Sequence, residues 1–343
     1  MKHITGKRVF RAVKTLTVCA AAAVRAIAQA PQPAPAGEVV GVGNFSHIVS
    51  DLDRSLAFYR DVLGLEVSMS QPFGPNPAIE KLGSTIGGQS RFVALKVPGT
   101  ALGVELIEYR NIDRQAQHPR FYDPGAANLA LRVRDLNSVF ERIRKFDGAK
   151  VITAAGKPVS IDTPNGSLYV VFVQDPDGFV VELASAAVPP GAPAGNIVGG
   201  SFEVTVADSE QSVKFYNNLL GFNLQLGASF NPNQLMAETA GAPGASFRQS
   251  SASIPGTSVQ MTLIEFKNID RKPLKGRVQD PGTAILQVYV RDAAALTKKL
   301  KAAGVPVVTA GGEPVDVGVN NLKISIVRDP NNMMLELIQA PKR

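Results

Sequence analysis

The sequence predicts an α+β fold in which four βαβββ modules pair into two curled mixed sheets, or cups, with helices on their outer faces. Two observations carry this expectation. The first is a duplication at a spacing of 157 residues. SLAFYRDVLGLEV (55–67) falls on SVKFYNNLLGFNL (212–224), and LIEYRNIDR (106–114) falls on LIEFKNIDR (263–271). The same spacing carries Phe73-Gly-Pro-Asn76 onto Phe230-Asn-Pro-Asn233 and Asp123-Pro-Gly125 onto Asp280-Pro-Gly282. Four matches at one spacing mark an internal repeat. The second observation is that each half repeats the order strand, helix, three strands. The expected domains are therefore 38–188, with modules 41–115 and 123–188, and 196–343, with modules 198–272 and 280–341. A Pro/Gly/Ala linker at 188–195 separates them. The chain has 343 residues, 45% of them hydrophobic, enough for two ordinary domains with real cores.

Module one reads as a strand over 42–49, then an amphipathic helix over 53–63 capped by Asp53 or Ser55, with Leu56, Tyr59 and Leu63 on one face. Gly64 ends it, since glycine tolerates a left-handed backbone. Alternating patterns place strands at 66–70, 91–97 and 102–109. Module two repeats this with strands at 129–133, 151–154, 168–173 and 179–183, and a helix at 136–146. Asp175-Pro-Asp-Gly178, and Asp329-Pro-Asn-Asn332 in module four, are tight turns. The Gly/Pro/Asn-rich inserts 71–89 and 229–244 are long for hairpins, contain short helical stretches, and suit lids over the cups.

Nearly all of the formal charge of +7 resides in the first 37 residues, which hold six basic and no acidic side chains; the remainder has 30 basic against 29 acidic. A near-neutral body argues against nucleic acid. The cationic start, the apolar run 15–24 and Ala26-Ile-Ala28 read as a secretory signal peptide cut after Ala28, giving an exported protein. The same composition also suits an unstructured basic tail. The run is too short to span a bilayer. The one cysteine, Cys19, lies in this leader, so the mature chain would have no disulfide.

The helix motif DLDRSLAFYRDVLGLEV, the ending DPDGFVVEL and the βαβββ order resemble the vicinal-oxygen-chelate superfamily, which holds glyoxalase I, bleomycin-resistance proteins and extradiol dioxygenases. The resemblance covers residues 41–341 and is specific for fold rather than chemistry. It implies two modules forming a cup around a divalent metal, with ligands from the first and last strand of each module. Counting back from the helix serine and from the V-x-D pair gives Asn44 and Asn128 in the first half, and the last-strand positions that the resemblance implies there are Glu105 and Glu182. That all-oxygen set suits Mg, Mn or Ca. The second-half equivalents are Ser201, Thr262, Ile285 and Glu336; isoleucine cannot ligate, so no metal is expected there.

The body contains two histidines, His47 and His118. Strand parity places His47 on the face opposite Asn44, so the two-histidine iron site of the dioxygenases is not expected. Glu105 and Glu182 are the candidate catalytic carboxylates, read either as ligands or bases, or as solvated and ion-paired strand residues. Phe73 and Phe230 in the inserts, and Arg114 and Arg271 of the repeated NIDR loops, are candidate substrate contacts; for the arginines, Asp–Arg pairing between modules is the competing reading. These readings lead to an exported small-molecule-binding protein, monomer or homodimer, with no certain cofactor. The alternative is a metal-dependent glyoxalase-like lyase or isomerase working in the first half.

Overall fold

The computed structural model describes residues 38–339 apart from 164, 165, 186, 189 and 319–321. The leader and its expected cleavage after Ala28 lie outside the described residues. No described helix is long and apolar enough to cross a membrane.

Module one contains β1 (Val39–Ile48), α1 (Leu52–Leu56), β2 (Glu66–Gly74), α2 (Pro77–Gly83), β3 (Gln89–Lys96) and β4 (Gly103–Arg110). Module two contains β5 (Ala127–Val133), α3 (Leu136–Lys145), β6 (Lys150–Val151), β7 (Val159–Thr163), β8 (Gly166–Gln174) and β9 (Val180–Ser185). Module three contains β10 (Ile197–Thr205), α4 (Ser209–Leu220), α5 (Gln234–Thr239), β11 (Ser246–Ser253) and β12 (Gln260–Lys267). Module four contains β13 (Ala284–Val290), α6 (Ala293–Ala302), β14 (Val315–Asp316), β15 (Lys323–Arg328) and β16 (Met334–Gln339).

The expected first helix is present, but Asp51 caps it, accepting from the backbone N–H of Asp53 and Arg54. After Leu56 it widens into a π-helical turn, Ala57–Val62. Ser55 instead donates its hydroxyl to Asp177 at 2.9 Å. Strand β7 carries no strong alternation and was not expected; it pairs only with β8.

The strands form two eight-stranded sheets, and each takes one module from each half of the sequence. One runs β14-β15-β16-β13-β1-β4-β3-β2, joining modules four and one (cup A). The other runs β11-β12-β10-β5-β9-β8-β6, with β7 on β8, joining modules three and two (cup B). The centre of each sheet is an antiparallel pair of first strands, β1 with β13 and β10 with β5. This pairing differs from the within-half cups expected from the duplication.

Modules that are neighbours in sequence are tied by their turns. Asp175 accepts the Tyr59 hydroxyl at 3.1 Å and lies 2.8 Å from His47 Nε2, while Asp177 accepts from Ser50 N at 2.9 Å. In the other half Asp329 accepts the Tyr216 hydroxyl at 3.0 Å, and Asn331 accepts from Ala207 N at 2.8 Å. Sheets and turns thus join the four modules in a closed ring.

Alternation decides what lies where. On β4, Leu106 faces a core that both sheets share with α1, α3, α4 and α6, whereas Ile107 and Tyr109 belong to cup A. Phe45 lies at the centre of the shared core, with ring centroids 4.6 Å from Phe202 and 4.9 Å from Phe179. Burying each such ring contributes roughly 1.5–3 kcal/mol. His47, two residues on, faces this core too, its ring 4.6 Å from Phe179.

The inserts do reach over the cups. Helix α2, capped by Asn76 at Ile79 N, crosses from module one to module four, where Ala310 N donates to Lys81 O at 2.9 Å. Helix α5, capped by Asn233, crosses from module three to module two, where Thr153 donates to Thr239 O at 3.0 Å.

Candidate functional site

The polar pole of each cup lies where a first strand runs beside a last strand. In cup A the register sets Ser46 beside Glu105 and Gln287 beside Glu336. In cup B it sets Ala130 beside Glu182 and Glu203 beside Thr262. The positions expected from the helix serine (Asn44, Asn128, Ser201 and Ile285) each fall two residues before these. A shift of two preserves the face of a strand and changes the level along it.

The expected metal quartet is therefore divided. Asn44 and Glu105 belong to cup A, Asn128 and Glu182 to cup B, because the first strands pair across halves. Asn44 meets the site only through its backbone N–H, which donates to Gln287 Oε1 at 3.0 Å. Of the second-half residues, Glu336 joins cup A and Thr262 cup B. Ile285 lines the cup A cavity, and Ser201 stands opposite Ala130, outside the polar cluster. Sequence reasoning missed Ser46, Gln287, Glu203 and Tyr109; an alternating in–out count from Glu105 and Glu336 across the sheet would have found the first two.

In cup A, Glu105 Oε2 accepts the Ser46 hydroxyl at 2.6 Å and the Gln287 amide at 2.9 Å. The same amide lies 3.4 Å from Glu336 Oε2. Burial raises the pKa of Glu105, opposed by those two hydrogen bonds. Burial and then the neighbouring Glu105 push Glu336 up to about 8, so it holds its proton at neutral pH. The Tyr109 phenol is raised by burial and by both carboxyls. These groups open on a cavity of ≈ 100 Å³, also lined by Ser90, Phe92 and Ile326 and roofed by Ile79 and Leu82 of α2.

Cup B has the same frame with different contents. Asn128 Nδ2 donates to Glu203 at 2.6 Å, and burial pushes Glu203 up to about 7. Glu182 is raised well above the usual carboxylate range, by burial and then by Glu203. Above this pole Phe121, Phe172, Phe247 and Phe266 pack with α5 into one buried cluster. The ring of Phe121 lies 5.3 Å from Phe172 and 5.5 Å from Phe266. The duplication and the turn spacing map these four onto Val278, Ile326, Ser90 and Tyr109 of cup A.

The remaining candidates sit elsewhere. Phe73 and Phe230 lie outside the cavity lining: Phe73 stacks under Arg110 at 3.9 Å and Arg91 at 5.0 Å, and Phe230 under Lys267 at 3.9 Å and Arg248 at 4.9 Å. Arg114 approaches Ser50 O at 3.5 Å and Arg271 donates to Val206 O at 3.2 Å, each holding its loop to the end of a first strand. The Asp–Arg pairing runs through the loops' aspartates, Asp113 to Arg277 at 3.0 Å and Asp270 to Arg120 at 3.6 Å. His47 is fully buried beside Asp175; burial would lower its pKa, but Asp175 raises it on balance.

The sequence profile of the Glyoxalase/Bleomycin resistance protein/Dioxygenase superfamily matches residues 41–183 and again 200–337. The chain belongs to this superfamily. A 2-epi-5-epi-valiolone epimerase from Actinomyces sp is 31% identical over 157 residues, covering 45% of this chain and 82% of that protein. A lactoylglutathione lyase from Haemophilus influenzae is 31% identical over 137 residues, covering 39% and 84%. Glyoxalase I from Zea mays shares the fold at 18% identity with a TM-score of 0.56, over 88% of this chain and 92% of that one.

As arranged here, Glu105, Gln287 and Glu336 stand at first- and last-strand positions and are closed on one another by hydrogen bonds rather than turned to a common centre. Gln287 turns its amide N–H groups, not its oxygen, toward both carboxyls, and its oxygen already accepts from Asn44. Among the described residues no group of three or more His, Cys, Asp or Glu is placed to hold a metal. The four groups, counting Ser46, instead close a hydrogen-bonded cluster, which satisfies buried carboxyls without a cation.

Proposed function

We propose that this protein binds a small organic molecule in cup A, with Glu105, Gln287, Glu336 and Tyr109 as the polar contacts and cup B as a filled structural partner. The observation behind this reading is the ≈ 100 Å³ cavity, which places two buried carboxyls of unequal proton affinity against apolar walls. A concave, largely apolar pocket with a few convergent polar groups is the usual form of a ligand site. The test is a fragment screen on the full chain by crystallography or ligand-detected NMR. Fragments should collect against Glu105 and Glu336, with affinity unchanged by EDTA. Fragments that collect elsewhere, or binding that needs an added divalent ion, would remove this reading.

A second reading, proton transfer beside a carbonyl, is favoured by the pairing of a carboxyl protonated near neutrality with a second one bridged to it by an amide. Such pairs divide acid and base roles, and the two relatives named above are an epimerase and a lyase. Glu336 would donate and Glu105 accept. Solvent deuterium entering the α-carbon of a bound hydroxy ketone, lost in Glu105→Gln, would support it; no exchange above the background rate would end it. The leader-like first 37 residues support export, which amino-terminal sequencing of secreted material, beginning at Gln29, would test.

A further inference from the structure

The helical straps over the two cups occupy equivalent positions in the duplicated sequence, and their hydrogen bonds to the opposite module balance. Lys81 O of α2 accepts from Ala310 N at 2.9 Å, and Ser84 at its end donates its hydroxyl to Val308 O at 2.6 Å. In α5, Glu238 O accepts from Ala154 N at 3.3 Å and Thr239 O from the Thr153 hydroxyl at 3.0 Å. Apolar burial therefore decides how firmly each strap is held. Along α5 and the turn after it, Met236, Ala237, Ala240, Ala242 and Ala245 are all buried in the phenylalanine cluster. Along α2 and its turn Leu82 is the one buried hydrophobic side chain, in a cluster with Ile324 and Ile326, while Ile86 is 70% exposed. The exits differ too. Ser84 holds a left-handed backbone, φ 54°, where its counterpart is Gly241, φ 71°. A residue with a Cβ takes that conformation at a cost, so the seat of α2 is strained where that of α5 is not.

The cavity under α2 measures ≈ 100 Å³, less than the ~150 Å³ that takes up one benzene ring. A larger molecule enters only if a wall moves. Apart from Val278, the other walls are strands held in the ladders of one sheet, which leaves the roof of Ile79 and Leu82 as the least fastened side. Resting on the reading of cup A as the ligand site, we propose that α2 is its gate, swinging away from module four about its two ends to admit molecules larger than the closed cavity, whereas α5 keeps cup B shut.

Hydrogen exchange on the full chain tests the motion. Thr85 N donates to Glu80 O at 2.8 Å and its counterpart Ala242 N to Ala237 O at 2.7 Å, so the two amides report the opening of the two straps through the same bond. The protection factor at Thr85 should be lower than that at Ala242 by about tenfold or more. Thiol labelling tests the access. In a Cys19→Ala chain, which has no other cysteine, Ser90→Cys sets a single thiol in the cavity wall. N-ethylmaleimide should label that thiol roughly threefold faster once Ser84→Ala is added, the effect of one lost hydrogen bond, with the circular dichroism spectrum unchanged. Equal protection at Thr85 and Ala242 would overturn the motion. Labelling indifferent to Ser84→Ala would overturn the gate, since the reagent then enters by a path that the strap does not control. Neither measurement uses a ligand, so the gate can fail while fragments still bind in cup A, and fragment binding can fail while the strap still moves.

Discussion

Cups A and B share equivalent central strands in the same register and differ at their edges and in what fills them. Over the pole of cup B stand four phenylalanines; over that of cup A stand valine, isoleucine, serine and tyrosine at the matching positions. The exchange at the pole runs parallel: Gln287 of cup A corresponds to Ala130, and Ser46 to Glu203. One cup has therefore gone to packing and the other to a polar cavity. The difference teaches that in a duplicated fold side-chain volume, more than backbone, decides which copy keeps a cavity.

The strongest way to break this comparison is to empty the filled cup. Phe172→Ala should cost about 3–5 kcal/mol in denaturant unfolding, the usual loss for a fully buried ring. Ile326→Ala, its counterpart at a cavity wall that already lacks some partners, should cost about 2 kcal/mol. Equal costs would show that cup A is packed as tightly as cup B. Next in size is the exchange of contents. Ser90→Phe should weaken ligand binding more than tenfold, about 1.4 kcal/mol or more, with little change in Tm, whereas Phe247→Ser should open space in cup B at a stability cost of about 3 kcal/mol.

The carboxyls give a smaller, pH-dependent contrast. Glu336 and Glu203 have folded pKa values of about 8 and about 7, above their unfolded values. The folded state then binds more protons than the unfolded state across the interval from about 4.5 upward. Stability from these groups is full below that value and is lost as pH rises through 7 to 8. Glu336→Gln should remove part of the slope, leaving the variant about 1–2 kcal/mol more stable than the parent near pH 9; an unchanged slope would place the perturbed carboxyl elsewhere. The smallest effect belongs to the loops shared by both halves. Arg114→Ala and Arg271→Ala should each cost under about 1 kcal/mol, as for surface contacts to backbone carbonyls, and leave ligand affinity unchanged. A tenfold loss in either would restore these arginines as substrate contacts.

Much of this was legible in the sequence because it is local or periodic. Alternation placed β4, β5, β8 and β9, and the family resemblance picked out Glu105 and Glu182 on them. Repeated motifs divided the chain into modules and set the two tight turns. Parity put His47 on the face away from the cup, and glycines marked the helix ends; Gly64 indeed adopts φ of 84°. Retention of the NIDR loops in both halves pointed to their tying role, whereas the part played by Glu108 and Glu265 came only from the structure. Each of these bonds the N-terminus of a helix and a strand arginine, Leu52 N and Arg91 in one half, Ser209 N and Arg248 in the other.

What the sequence by itself determined was the module, its repetition and the inward face of each strand, since these depend on backbone period and side-chain polarity within a few residues. Only the tertiary structure decided which modules share a sheet. Two first strands of equal edge character can pair within a half or across halves, and the choice rests on contacts between residues more than two hundred positions apart, such as Asn44 with Gln287. That choice took Asn128 and Glu182 away from Glu105 and supplied Gln287 and Glu336 in their place. Level along the strand was equally out of reach, because a two-residue shift leaves the alternation unchanged and only the packed register fixes the depth.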